Sequence, residues 1–367
     1  MKTAAAWIKK NVVFCVALLA AVITAFIIPP DEDYLAYFDW KTLVCLFCVL
    51  SVVCALKNIN FFYILARKVV ELFKNARICI TALVYITFIG SMLIANDMAL
   101  LTFLPLGYFV LDTTGKQKYM AFTFVMQNIA ANLGGMLTPF GNPQNLYLYS
   151  YFNIPTGEFI QIMFPPFIIA VVLITICCLV FVRSEPLELK GEKAELCAWR
   201  TVVYLILFAF SIIIVLRIIP YGWGLIVPAA ILFLDRKAMA MVDYPLLGTF
   251  AAFFVFTGNL SRIDVVSRFF SWLLGKNTLL FSTLSCQFIS NVPSAILLSR
   301  FTENYAELLV GVNIGGCGTI IASLASLITF REYMSHNPGR TGYYMGIFSA
   351  FNFGFLILLL IVMSVIM

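Results

Sequence analysis

The segment from Asn128 to Leu148, NIAANLGGMLTPFGNPQNLYL, constrains the fold most, because it interrupts a sequence that is otherwise almost continuously apolar. Its glycines and prolines, at positions 134, 135, 139, 141 and 143, cannot continue an ordinary helix. Its amide side chains would be costly in lipid unless protein or a cavity surrounded them. A helix broken at membrane depth is typical of a transport site, and a kinked, packed helix is the simpler alternative.

The composition places this segment in a membrane protein. Hydrophobic residues make up 62% of the chain and charged residues 11%, and the mean hydropathy is +0.98. Apolar runs of about 20 residues predict spanning helices and not the short alternating segments of a β-barrel. The net charge of +6 comes from loop cations, so it bears on membrane topology and indicates no nucleic-acid partner. The fold class is therefore predicted to be an all-α polytopic membrane protein.

The first half, residues 1–182, is predicted to contain spans, one hairpin and one broken helix. The spans are placed at 11–28, 38–56 and 159–182, with an interfacial amphipathic helix over 57–77, an inner hairpin over 78–111 and the broken helix over 119–150. The second arm of the hairpin, 99–111, is short of the roughly 20 residues that cross a bilayer. The hairpin is therefore predicted to re-enter the membrane, with Asn96 and Asp97 at its tip.

The second half, residues 201–367, repeats this pattern after a charged cytoplasmic linker, 183–200. Spans are predicted at 201–216, 222–234, 244–258 and 342–366, with an amphipathic segment over 259–276, an outer hairpin over 277–302 and a broken helix over 305–335. The tip of the outer hairpin is predicted at Ser290-Asn291-Val292-Pro293.

Two glycine motifs indicate that the halves are repeats. Gly134-Gly135-x-x-Thr138 matches Gly315-Gly316-x-x-Thr319 at an offset of 181 residues, the difference between 315 and 134. The alignment also pairs polar residues of the two halves: Asn142 with Ser323, Asn145 with Ser326, and, at the hairpin tips, Asn96 with Asn291. An internal repeat of hairpin and broken helix favours a transporter site between the two repeats.

The basic residues favour a cytoplasmic N-terminus. If the spans cross and the hairpins return to their own side, six of the 24 Lys and Arg face the opposite side: Lys41, Arg217, Arg262, Arg268, Lys276 and Arg300. This distribution agrees with the positive-inside rule. It gives nine crossings and places the two hairpins on opposite sides of the membrane, as an inverted repeat requires.

Together these motifs resemble the ion transporter superfamily. The features that carry the resemblance are the two hairpin tips, a broken helix with T-P-x-G-x-P-x-N from Thr138 to Asn145, and the second Gly-Gly-x-x-Thr. The superfamily contains divalent-anion/sodium symporters, citrate-transporter-like permeases, arsenite permeases and a sodium/proton antiporter branch. The resemblance covers the chain from about Leu56 onward. It implies an elevator-type secondary carrier, usually a homodimer, whose hairpins and broken helices move against a scaffold.

In the symporter branch, the hairpin tips and the backbone of the broken helices bind sodium, and the substrate carboxylate lies between the tips. Carried over, the first tip is Asn96-Asp97-Met98 and the second is Ser290-Asn291-Val292. The first tip departs from the symporters, because the acid Asp97 stands in a region where they have a neutral hydroxyl. An Asn-Asp pair is closer to the arsenite and citrate-like branches. The identity of the coupling ion, Na+ or H+, therefore stays open.

The predicted site combines these tips with the broken helices. The predicted substrate ligands are Asn96, Thr138, Asn142, Asn145, Ser290, Asn291 and Thr319; the predicted ion ligands are Asn96, Asp97, Gly134, Gly141, Asn291, Gly315 and Ser323. No Lys or Arg is expected in the site, so co-bound cations would balance an anion. Asp97 would bind a cation or carry a proton, and the alternative is that it only caps the next helical arm.

The leading hypothesis is a sodium-coupled importer of di- or tricarboxylates in the inner membrane. The alternative is a cation/proton antiporter or an exporter of an inorganic oxyanion such as arsenite. An enzyme is disfavoured, because the sequence contains no HExxH, no paired intramembrane acids and no Ser–His arrangement. A nucleotide-binding GxxxxGK[ST] loop is also missing, so ATP coupling within the chain is excluded. Apart from the coupling ion, no cofactor is predicted. The helices are expected to be in contact with membrane lipid.

Overall fold

The computed structural model describes residues 11–187 and 198–367, and their regular structure is helical apart from one isolated bridge between Asn75 and Pro186. This agrees with the predicted all-α polytopic class. Most of the predicted linker, 183–200, lies outside the described residues. The division of the chain into two repeats stays a prediction.

The α-helices follow one another through the two described ranges. They are α1 (Val12–Ile27), α2 (Trp40–Asn58), α3 (Phe61–Val70), α4 (Ala76–Ile94), α5 (Asn96–Thr113), α6 (Met120–Gly134), α7 (Pro143–Tyr151), α8 (Thr156–Phe181), α9 (Ala198–Val215), α10 (Ile226–Leu234), α11 (Arg236–Ala240), α12 (Tyr244–Ser261), α13 (Asp264–Lys276), α14 (Thr278–Ile289), α15 (Asn291–Leu298), α16 (Tyr305–Ile314), α17 (Leu324–His336) and α18 (Thr341–Ile366). Short 3-10 turns lie at Glu32–Tyr37, Gln117–Tyr119, Gly135–Leu137 and Tyr221–Leu225.

Several of these helices begin where a polar side chain satisfies a free backbone amide. Asp39 accepts a hydrogen bond from the Thr42 amide at the start of α2, and Asp243 accepts one from the Leu246 amide at the start of α12. Such caps stabilise a helix by about 1 kcal/mol. They place the ends of apolar helices at polar boundaries, as a membrane protein requires.

Five helices in the described part of the chain are long and apolar enough to cross a membrane: α2, α4, α8, α9 and α18. A sixth span results if α12 and α13, which are bent by 98° at their junction, are counted together. Other apolar helices, including α1, α14 and α16, are shorter. Helix length and composition therefore identify five or six spans and do not test the nine predicted crossings, which stay a prediction.

The predicted length of the second arm of the first hairpin is wrong. The arm is α5, which has 18 residues and contains Pro105, and it follows an α4 of 19 residues. Helix α5 begins at the tip itself, because the Asn96 Oδ1 accepts a hydrogen bond from the Asp97 amide. Arm length alone therefore does not distinguish a re-entrant hairpin from two spanning helices.

The two predicted amphipathic helices are shorter than expected. The first was placed over 57–77 but covers only Phe61–Val70, because α2 extends to Asn58 and α4 begins at Ala76. The second was placed over 259–276 but covers Asp264–Lys276, since α12 continues to Ser261. The predicted span at 222–234 is a 3-10 turn followed by α10. For the two amphipathic helices, a neighbouring helix takes residues that the apolar pattern had assigned differently.

The packing of hairpin and broken helix is alike in both halves. Helix α4 packs against α5 and α6, and α14 packs in the same way against α15 and α16. Helices α1 and α12 pack against each other at one side of the site. This arrangement brings the two hairpin tips and the two helix breaks together.

A charged clamp fixes the start of the first hairpin to the end of α8. The backbone carbonyl of Glu185 accepts a hydrogen bond from the Ala76 amide at 2.8 Å. The Glu185 carboxylate accepts hydrogen bonds from Lys116, Lys118 and Tyr119. These donors, Lys116 first, lower the pKa of Glu185 to about 2, so this carboxyl is ionised at neutral pH.

Candidate functional site

The two hairpin tips share one strained backbone conformation. Ala95 has φ +65° and ψ 150°, and Ser290 has φ +74° and ψ 160°, a region that normally holds glycine. The next residue in each tip is an asparagine whose Oδ1 accepts a hydrogen bond from the following amide, at 2.9 Å in both Asn96 and Asn291. Strain that persists at equivalent places points to a functional site.

The threonine of each broken helix is bonded to the hairpin of its own half. The Thr138 hydroxyl donates to the Met92 carbonyl at 2.8 Å, and the Thr319 hydroxyl donates to the Gln287 carbonyl at 3.0 Å. Both acceptors lie four residues before the tip asparagine. The two threonines, predicted as substrate ligands, therefore satisfy carbonyls at the end of the first hairpin arm.

Two buried asparagines that were not predicted as site residues join the two halves. The Asn132 Oδ1 accepts hydrogen bonds from the Asn96 amide at 3.0 Å and from the Ser323 hydroxyl at 2.9 Å. The Asn313 Oδ1 accepts one from the Asn142 amide at 3.3 Å. Asn132 and Asn313 are themselves separated by 181 residues. Extending the repeat alignment upstream of the glycines would have found both.

The carbonyls freed by the two breaks are satisfied differently. In the first break, the Asn145 amide donates to the carbonyls of Gly135, Met136 and Thr138 at 3.2 to 3.3 Å. In the second break, the donor is the side chain of Gln287 on the hairpin arm, which bonds the carbonyls of residues 315 and 317. Asn145, predicted as a substrate ligand, is thus engaged with backbone.

A cavity of about 140 Å³ lies between the two tips. Five of the predicted residues line it: Asn96, Asp97, Ser290, Asn291 and Ser323. The other predicted residues are not among its lining residues: Thr138, Asn142, Asn145, Gly134, Gly141, Gly315 and Thr319. Their predicted roles as ligands remain untested. The two tips therefore meet at one site, whereas most of the predicted residues of the two broken helices do not line it.

Six helices begin at the wall of this cavity. They are α1, α5, α7, α12, α15 and α17, and the lining residues at their starts are Val12, Asn96, Pro143, Asp243, Asn291 and Ser323. The start of a helix carries partial positive charge and amides without an intrahelical partner. Six such ends around one cavity create a site that suits an anion.

Three charged side chains also line the cavity: Asp97, Asp243 and Arg331. The expectation that no Lys or Arg lies in the site is therefore wrong. Arg331 follows Ser323 by two steps of four residues, so both lie on one face of α17, and helical periodicity could have found it. Arg331 is exposed and forms no ion pair with any described residue.

Asp97 differs from Asp243, although both acids line the cavity. Asp243 caps α12, whereas the buried Asp97 Oδ1 has no hydrogen-bond partner among the described residues. The alternative that Asp97 caps α5 is not observed, because Asp97 is the second residue of this helix, the N-cap is Ala95, and no side chain caps it within the described residues. Two further buried oxygens, Oδ1 of Asn142 and Oε1 of Gln144, are likewise without a partner in the described chain. Unsatisfied oxygens of this kind suit a cation or a proton donor.

Gly134 and Gly315 pack against the hairpins. A β-carbon on Gly134 would overlap with the backbone carbonyl of Phe88 in α4, and one on Gly315 would lie 2.9 Å from the Cys286 Sγ in α14. Both glycines therefore allow a broken helix to approach the first arm of its hairpin closely. This close approach is a structural reason for glycine at two positions predicted as ion ligands.

We expect Gly134→Ala to destabilise the protein by about 2 kcal/mol, because the clash is with backbone that cannot move aside. Gly157→Ala is the matched control, since a β-carbon there meets nothing within 4 Å and alanine favours a helix. Thermal unfolding of both variants in detergent measures the difference. Equal unfolding temperatures for the two variants would contradict the close packing of α4 and α6.

Comparison with known proteins shows to which family the chain belongs. The sequence profile of the citrate transporter family (CitMHS) matches residues 3–311. The chain belongs to this family. It is accordingly a multi-pass membrane protein and a secondary transporter, and the family consists of transporters and not of enzymes.

Several curated proteins are similar to this citrate-transporter-family chain. An uncharacterized transporter of Methanocaldococcus jannaschii is 33% identical over 311 residues, 84% of each chain. The inner membrane protein YbiR of Escherichia coli is 26% identical over 336 residues, 87% of each chain. A silicon efflux transporter of Oryza sativa is 33% identical over 135 residues, which cover 36% of this chain and 27% of that protein.

Proposed function

We propose that this protein is a cation-coupled carrier that takes up di- or tricarboxylate anions, with Na+ favoured over H+. The observation that carries the proposal is the convergence of six helix starts on one cavity between two equivalent tips. Helix starts provide amides for carboxylate oxygens without requiring a cluster of cationic side chains. The Arg331 guanidinium would add one charged donor for a carboxylate.

The cation would bind near Asp97. Its buried Oδ1 lacks a hydrogen-bond partner in the described chain. Gln144, which is 1% exposed, lines the same cavity, and its Oε1 also has no partner among the described residues. Oxygen ligands from a carboxylate and an amide suit Na+, and a cation here would also balance a bound anion. Substrate and cation would thereby stabilise each other in the cavity, which is the basis of coupling.

The set of helices that line the cavity supports the proposal of an elevator movement. Residues of both hairpins and both broken helices form one wall, and the first residues of α1 and α12 form another. We propose that α4–α7 and α14–α17 move together as an inverted repeat against α1, α2 and α9–α12. The nine predicted crossings, a homodimeric scaffold and an inner-membrane location with a cytoplasmic N-terminus belong to this proposal.

Uptake into proteoliposomes tests the proposal. Labelled citrate and succinate should accumulate when a sodium gradient is imposed, and accumulation should fall about tenfold or more in Asn96→Ala and Asn291→Ala, since each loses a side chain that shapes a tip. Asn352→Ala is the control, because Asn352 is a buried asparagine of α18 that does not line the cavity. Wild-type protein that accumulates neither anion under any cation gradient would exclude carboxylate uptake.

Export of an inorganic oxyanion, or cation/proton antiport, is the second candidate. It is favoured by the similarity to a silicon efflux transporter over 135 residues and by an acid at the first tip. Vesicles preloaded with arsenite or silicic acid would then lose them when a proton gradient is applied, and carboxylates would have no effect. Sodium- or pH-dependent stability without any anion effect would favour antiport.

A further inference from the structure

A second group of cations lies at the far end of α7, away from the central cavity. Two adjoining cavities of about 180 and 170 Å³ share Lys41 and Ser150 in their walls. Arg217 lines the first of these cavities and Arg300 lines the second. We call the region defined by Lys41, Ser150, Arg217 and Arg300 the basic vestibule.

Helix α7 connects the basic vestibule with the central cavity. Pro143 and Gln144, at its start, line the central cavity, and Ser150, near its end, lines the vestibule. Ser150 follows Pro143 by seven residues, so the two side chains are separated by about 10 Å along the helix axis. The orientation predicted from the loop cations places the vestibule on the outer face.

Two of the vestibule cations are partly explained by the fold. Arg217 donates to the carbonyls of Tyr149 and Ile154 at the end of α7, where a cation is favourable. Arg300 donates to the Tyr37 carbonyl at 2.9 Å, yet its buried Nε has no partner in the described chain. Helix capping therefore accounts for Arg217 and only in part for Arg300.

Lys41 is not explained by the fold. It is exposed, lines both cavities, and has no ion pair or side-chain hydrogen bond with any described residue. The acid among the described lining residues is Asp39, whose two oxygens accept from the amide and hydroxyl of Thr42. Three cations against one acid leave the walls with an excess of positive charge, which attracts anions into a cleft.

We propose that the basic vestibule is a second anion site, which binds small polycarboxylates before they reach the central cavity. The bound carboxylates would contact the Lys41 ammonium and the free Nε of Arg300, which have no acidic partner in the described chain. This proposal rests on the proposed function in one respect only, namely that the anion moves from the vestibule to the central cavity. Its binding chemistry is independent of whether the central cavity transports the anion.

The charge of the vestibule can be measured without transport. Ala36 is exposed and lines the vestibule, so Ala36→Cys provides a reporter thiol, in a Cys45→Ala background because Cys45 lines it too. The reporter is labelled in purified full-length protein with an anionic and with a cationic methanethiosulfonate, and the rates are read at that site by peptide mass spectrometry. Lys41→Gln is compared with Lys276→Gln, an exposed cation of α13 that lines neither cavity.

We expect Lys41→Gln to lower the ratio of anionic to cationic labelling rates about fivefold at low salt, and Lys276→Gln to leave it unchanged. Millimolar citrate should slow labelling when Lys41 is present and not in Lys41→Gln. An unchanged ratio in Lys41→Gln, or no effect of citrate on the labelling rate with Lys41 present, would overturn the proposal. If both labelling results are as expected but the protein does not accumulate carboxylates, the second anion site stands and only the proposed function is refuted.

Discussion

Asp97→Asn should abolish sodium-dependent uptake, with a loss of about 100-fold, while the protein stays as stable as the wild type or becomes more stable. In the proposed site, the Asp97 carboxylate would be the charged oxygen ligand of the cation, and contacts to charged groups are worth about 1.5 to 3 kcal/mol. Stability should not fall, because the buried Oδ1 has no hydrogen-bond partner in the described chain.

The matched control is Asp243→Asn. Both acids line the cavity, but Asp243 caps α12, and asparagine caps a helix as well as aspartate does. Uptake in proteoliposomes and thermal unfolding, each at several sodium concentrations, separate the roles of the two acids. Sodium should raise the unfolding temperature of the wild type and of Asp243→Asn but not of Asp97→Asn. Retention of full sodium coupling in Asp97→Asn would exclude Asp97 as the cation ligand.

Arg331→Gln should raise the KM for citrate about tenfold and leave kcat nearly unchanged. Arg331 has no acidic partner among the described residues, so its guanidinium is available to a carboxylate of the substrate. Its exposure to solvent weakens the contact, which is why about 1.4 kcal/mol is the expected size.

Arg331→Lys keeps the positive charge and should recover most of the affinity for citrate. The recovery should be incomplete, because lysine cannot form the bidentate contact of arginine with a carboxylate. Arg340→Gln, an exposed cation that does not line the cavity, serves as the control for general charge loss. Initial uptake rates over a range of citrate and succinate concentrations give KM and kcat for each variant. A KM that Arg331→Gln leaves unchanged for both anions would mean that Arg331 does not contact the substrate.

The breaks and tips of this fold could be predicted from local sequence. Gly134, Gly135, Pro139 and Pro143 together predict a break, and the structure ends α6 at Gly134 and begins α7 at Pro143. The tips were predicted at Asn96-Asp97 and from Ser290 to Pro293, and the structure interrupts the helices next to or within these stretches, at Ala95 and at Ser290. Such features depend on residues within a few positions of one another, so a single sequence is enough to find them.

The composition of the cavity wall was predicted only in part. Asn96, Asp97, Ser290, Asn291 and Ser323 were expected and line it. The threonines and Asn145 were expected to bind ligand, but the hydroxyls of Thr138 and Thr319 and the side-chain amide of Asn145 donate to backbone carbonyls. A polar side chain in an apolar segment can satisfy either a ligand or a broken helix, and the sequence alone does not show which.

The sequence by itself determined where the helices break in this membrane-embedded chain, because glycine, proline and amide side chains act locally. Only the tertiary structure decided that Asp243 and Arg331 share a cavity with Asp97, although 146 and 234 residues separate them from it in the numbering (243 − 97 and 331 − 97). Contacts between such distant segments depend on how helices pack. The same packing gathers six helix starts around one cavity, and on this convergence the proposal of an anionic substrate rests.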